Sequence, residues 1–174
     1  GTGLSGLGNP TGYALLAALP LSFAVHQIDE AFVWWGLQGH VPAALGHVAT
    51  WIYLAFAFVV LPVFVPMAIL VLEPPGRRRR TMVAFLALGA VVSGVLLAAM
   101  LRGPVVAELG TYYIAYSTDL HAGNLVVLLY VTATCGALVL SGRRDIARFG
   151  VVNLVAVVLL ARLTIDGFAS LWCA

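Results

Sequence analysis

"AALGHVATWIYLAFAFVVLPVFVPMAILVLEPPGRRRR", residues 43–80, decides the fold. From Ala43 to Leu72 it holds no Asp, Glu, Lys or Arg, and it then stops at a glutamate, two prolines, a glycine and four arginines. At about 1.5 Å per residue such a run is about 45 Å long, more than the roughly 30 Å of a bilayer's hydrocarbon core. Pro62 and Pro66 lie inside it. Each removes a backbone donor and crowds the preceding turn, so a kink is expected there.

Working outward, the same pattern recurs. Apolar segments cover about Tyr13–Leu37, Met82–Leu101, Leu120–Leu140 and Phe149–Trp172, and residues 1–8 read as the tail of a further one. The breakers between them are "NPTG" (9–12), "QGHVPAALG" (38–46), "RGPVVAELGTYYIAYSTD" (102–119) and "SGRRDIAR" (141–148). Hydrophobic residues make up 62% of the 174-residue chain and charged residues 9%, against about 25% charged in a soluble domain. Mean hydropathy is +1.04. The alternation of a transmembrane β-barrel is absent from the pattern. The expectation is an all-α, polytopic transmembrane bundle forming a single domain over residues 1–174, with about six visible spans and about seven in a complete chain. "GTGLSGLG" at the start and "GFASLWCA" at the end both read as interrupted helices, so a chain truncated at both ends is expected.

Arginine sets the orientation. Arg77–Arg80 occupy one connection and Arg143, Arg144 and Arg148 another, two spans later. Both then lie on one side, which the positive-inside rule makes cytoplasmic. The Ala/Val/Leu/Gly/Arg bias is that of a GC-rich bacterial genome, so the expected location is a bacterial inner membrane. All nine basic residues are arginine, which excludes a lysine Schiff base or a lysine nucleophile. Cys135 and Cys173 form no CxxC pair and no disulfide framework. The composition argues against a nucleic-acid partner. Membrane lipids are the expected surroundings, and the arginine run could contact anionic ones.

Against this background "SFAVHQIDEAFVWW" (22–35) stands out, with His26, Gln27, Asp29 and Glu30 inside an apolar span. His26 and Glu30 are one helical turn apart and share a face. On the expected topology they fall in the outer half of the bilayer. His121 and Asn124 fall there too, as do Arg162 and Asp166, while His47 sits at the outer interface and His40 in a loop. Intramembrane charges cost roughly 2.5–3.5 kcal/mol each on insertion scales, so these groups should meet partners. Three readings are open for His26, Asp29, Glu30, His121 and Asn124. They are catalytic or proton-handling groups, or a structural hydrogen-bonded network, or a site in which His26, Glu30 and His121 hold a divalent metal. Two haem-ligating histidines, His26 and His121, have nothing in their spacing to favour them. Arg162 and Asp166, again one turn apart, form an internal ion pair or an anion site. The span Met82–Leu101 has no ionisable residue, and its Gly89, Ala90, Ser93 and Gly94 suit close helix packing.

The chain resembles an uncharacterised family of bacterial multi-helix membrane proteins, a domain of unknown function. The resembling pieces are His26-Gln27 with Glu30 and Trp34, "LPVFVPMAILVLEPPGRRRR" (61–80), "TCGALVLSGRRDIARFG" (134–150) and "GFASLWCA" (167–174). The resemblance implies a short Met-Cys-aromatic-Ser segment before this sequence and one further helix after it, and so a site cysteine beyond the residues present. More distantly, His26-Gln27-Ile28-Asp29-Glu30 with His121 and Asn124 is similar to a membrane-enzyme family named for a His-x-x-Glu-Glu motif. Here Asp29 stands at the first carboxylate. Neither resemblance supplies a reaction. The function expected is therefore a membrane-embedded enzyme or binder acting on a small or lipidic molecule. Its rival is a non-catalytic accessory subunit of a larger membrane complex whose polar cluster is purely structural.

Overall fold

The computed structural model describes residues 10–103, 105–109, 114–117 and 123–163. Helix α1 covers Pro10–Leu37, α2 Ala43–Leu54, a π-helical turn Ala55–Val60, α3 Leu61–Leu72, α4 Arg77–Arg102, α5 Gly123–Val139 and α6 Arg144–Leu163. Between α4 and α5 lies a short antiparallel hairpin, β1 (Val106–Leu109) on β2 (Ile114–Ser117). The helical fold is as the sequence implied; the two strands lie in the connection read from the sequence as a breaker between apolar segments.

The apolar segments and the helices coincide in place and differ at their ends. Pro10 opens α1, so the "NPTG" turn gives way to helix one residue in; proline's fixed φ suits the first helical position, where its missing donor is not needed. Arg77–Arg80 form the first turn of α4 rather than a loop, and α6 begins at Arg144. About six spans were expected. Among the described residues five continuous helical rods are seen, and two of them, Ala43–Leu72 and Arg77–Arg102, are long and apolar enough to cross a membrane. The other three are α1, α5 and α6.

The rod from Ala43 to Leu72 continues past Pro62, with a π-helical turn immediately before α3. Leu61 N–H reaches five residues back, to Phe56 O. In that register the next donor, for Ala57 O, would be residue 62, and proline has none. The hydroxyl of Tyr130 on α5 donates to Ala57 O at 2.7 Å instead, and Ser93 Oγ on α4 donates to Val59 O at 2.8 Å. Pro66 likewise leaves Pro62 O without its α-helical donor. Gly89 packs there so closely that a Cβ would lie 1.8 Å from Pro62 O. Such approaches bring Cα hydrogens to a carbonyl, a weak contact common between close helices. Of the small residues singled out on α4, Gly89 and Ser93 are thus packing residues, while Ala90 and Gly94 are exposed.

Helix α3 packs on α4 and α5, α4 on α5, and α5 on α6; α1 packs chiefly on α2. The core includes Tyr53, Leu54, Ile69, Met82, Val92 and Met100. The outer surface is itself apolar. Leu21, Val25 and Ile28 on α1 and Phe149, Val152, Val155 and Leu159 on α6 are all exposed.

Candidate functional site

The polar cluster sits in the α1–α2 hairpin. These helices run antiparallel from the turn at residues 38–42 and meet backbone to backbone at Gly36 and Gly46, where a Cβ on Gly36 would lie 2.5 Å from Gly46 Cα. That contact fixes the register between the helices. Ten residues before Gly36 comes His26, and ten after Gly46 comes Phe56. Accordingly the imidazole of His26 lies against Phe56 (centroids 4.6 Å apart) and stacks nearly parallel on Tyr53 (4.0 Å, 18°). Phe23, one turn earlier, meets Phe56 edge-on.

His26 and Glu30 are 3% and 5% exposed, so both are buried in a largely apolar interface, and Asp29 is half-buried. His26 Nε2 and Asp29 Oδ2 are each fully enclosed and have no hydrogen-bond partner. A buried donor or acceptor left unpaired costs about 1–3 kcal/mol. The chemistry available is that of a neutral or protonated imidazole beside two carboxyl groups, able to donate, accept or pass a proton.

The other expected site residues fall elsewhere. Asn124 is exposed on the first turn of α5, and His47 is exposed on α2, 6.5 Å from the ring of Trp51. His40 is exposed in the α1–α2 turn. His121 and Asp166 lie outside the described residues; Arg162 belongs to α6, with its side chain outside them. Cys135 is buried and free, and Cys173 lies outside the described residues. Among the described residues no three His, Cys, Asp or Glu side chains gather as a metal site; the reading in which His26, Glu30 and His121 hold a metal includes His121, outside those residues.

A second polar locus escaped the sequence reading. Glu73, which ends α3, is 3% exposed. Ser141 Oγ donates to its Oε1 at 2.9 Å, Gly142 N–H donates to the same oxygen, and Arg79 Nη1 donates to its backbone carbonyl at 3.3 Å. These bonds tie the α3–α4 turn to the α5–α6 turn and put both arginine clusters at one end of the molecule, opposite the α1–α2 turn.

Residues 10–174 match the model of a family of unknown function, DUF6629. The chain belongs to that family. No curated protein and no solved structure matches the chain.

Proposed function

We propose that this DUF6629 member is a multi-pass protein of the bacterial inner membrane, with about six spans in the residues present, whose α1–α2 interface binds a small or lipidic molecule through His26, Asp29 and Glu30. The arginine end faces the cytoplasm and the α1–α2 turn faces outward. At about 1.5 Å per residue Glu30 then lies roughly 10 Å inside the outer end of α1. Exposed valines and leucines around α1, α4 and α6, with Phe149 on α6, support the membrane reading, because a surface so apolar is stable against lipid and not against water.

The observation that carries the site is the pair of enclosed, unpartnered atoms, His26 Nε2 and Asp29 Oδ2. A network kept for structure alone satisfies its members. Groups kept for a ligand or a proton are satisfied only when it is present. His26 and the two carboxyl groups act as the acid/base or ligand-holding groups, and a divalent ion shared with His121 is one form the ligand could take.

One observation favours the rival, an accessory subunit with a structural cluster: His26 is stacked on Tyr53 and Phe56 as a packing element. Glu30→Gln separates the two, since it keeps volume and removes charge. Bound small molecules, lipids and metals are measured by native mass spectrometry and elemental analysis, alongside the melting temperature of the same sample. The binding reading expects a bound species in the parent that is lost in the variant, with the melting temperature within about 2 °C. A parent with nothing bound and a variant that melts several degrees lower decide for the structural cluster.

A further inference from the structure

The Glu73 lock builds a second feature that the α1–α2 site does not use. Between the two turns it ties together lies a cleft of about 380 Å³, lined among others by Glu73, Pro74, Arg77, Arg78, Gly142 and Arg143. Arg77 and Arg78 are exposed, and neither pairs with a described carboxyl group. An ion pair at this end, Arg148 with Asp145 at 3.7 Å, lies on α6 and outside the cleft. The acid within the cleft is engaged: Oε1 of Glu73 accepts from Ser141 and from Gly142. Arg77 and Arg78 beside this engaged carboxyl group leave the wall cationic. At Gly142 a Cβ would come within 2.8 Å of Glu73 Oε2 and 2.9 Å of Arg78 Nη1, so both side chains reach the bare backbone of this turn.

We infer that this cleft binds a phosphate group, and specifically the headgroup phosphate of an anionic membrane lipid. Guanidinium groups present paired donors whose spacing matches two phosphate oxygens, and Arg78 and Arg143 come to the cleft from two turns that Glu73 holds at a fixed separation. The lipid source rests on the membrane reading. The cleft lies at the ends of the two long apolar rods, Ala43–Leu72 and Arg77–Arg102, at the depth where lipid phosphates of the cytoplasmic leaflet lie. A bare surface arginine run would attract such lipids diffusely; the lock and the glycine make a defined seat.

The test uses the purified chain in an uncharged detergent, titrated with phosphatidylglycerol, with phosphatidylcholine and with inorganic phosphate at matched ionic strength. The readouts are bound lipid by native mass spectrometry and the thermal shift. Phosphatidylglycerol should bind saturably and phosphatidylcholine weakly. Arg77→Gln with Arg78→Gln should weaken the phosphatidylglycerol midpoint by about tenfold, and Arg143→Gln, on the other turn, should repeat the loss independently. Arg144→Gln with Arg148→Gln, outside the cleft, should change it less than about twofold. Equal losses in the two double variants, or equal binding of the two lipids, overturn the inference. Full saturation by inorganic phosphate alone keeps the phosphate seat and assigns it to a free anion. A chain that stays in solution without detergent defeats the membrane reading, and the phosphate titration then still decides the cleft.

Discussion

The π-helical turn and the α1–α2 hairpin face the same problem and resolve it differently. Both place polar atoms in an apolar interior. In the turn, Pro62 deprives Ala57 O of a donor, and Tyr130 supplies one from another helix; Ser93 does the same for Val59 O. In the hairpin, His26 Nε2 and Asp29 Oδ2 are as thoroughly enclosed and have no donor or acceptor brought to them. The bundle can recruit long-range partners, since Tyr130 lies 73 residues from Ala57 and Ser141 lies 68 from Glu73. No such partner is brought to His26 Nε2 and Asp29 Oδ2, and the proposed binding site rests on that contrast.

The largest effect expected is at Gly89. A methyl group there would meet Pro62 O at 1.8 Å and Pro62 C at 2.8 Å, and a backbone cannot rotate away as a side chain can. Gly89→Ala should force α3 and α4 apart and cost about 3 kcal/mol, the upper part of the range for overpacking. Equilibrium unfolding in detergent measures it. A loss under about 0.5 kcal/mol would mean that the satisfied region is looser than its contacts imply, and the contrast with the hairpin would weaken.

Next is Tyr130→Phe, which keeps the ring and strands Ala57 O. About 1 kcal/mol should be lost. The comparison sharpens in a double-mutant cycle. Pro62→Ala restores a backbone N–H at the position whose absence Tyr130 makes good, so in that background Tyr130→Phe should cost much less. A coupling of about 1 kcal/mol is expected; strict additivity would show that the hydroxyl does not stand in for the proline's missing donor.

These contacts show what was legible in the sequence and what was not. The helical rods were legible because long apolar runs end at Pro, Gly and Arg. Their ends were less so. Hydropathy records what suits lipid, whereas a helix continues as long as its backbone bonds do, and so Arg77–Arg80 fold as α4's first turn with their charges extended outward. The strands Val106–Leu109 and Ile114–Ser117 are too short to show a period. Within the site, His26 and Glu30 could be put on one face by spacing alone. Tyr53 and Phe56 could not be put against them, because the register of two helices depends on where they touch, and that is set by Gly36 and Gly46. Glu73 reads only as a stop signal in sequence; its role lies in a turn far along the chain.

The smallest effect, and the most decisive in sign, concerns His26 itself. His26→Phe preserves an aromatic ring against Tyr53 and Phe56 and removes an enclosed, unpartnered nitrogen. Deleting a satisfied buried group destabilises, whereas deleting an unsatisfied one relieves a desolvation penalty. The expected change is therefore between zero and a gain of about 1 kcal/mol, opposite in direction to Tyr130→Phe. Phenylalanine is slightly larger than histidine, so His26→Leu accompanies it: overpacking would harm the first variant and spare the second. Stability of both is read from thermal unfolding in the same detergent, and bound species from the same samples. If both variants lose more than about 1 kcal/mol, the imidazole's polar edge is holding the hairpin together, and the site belongs with the satisfied network around Pro62. If stability holds or rises while the bound molecule disappears, the open atoms of His26 and Asp29 are the part of the fold that stability was given up to keep.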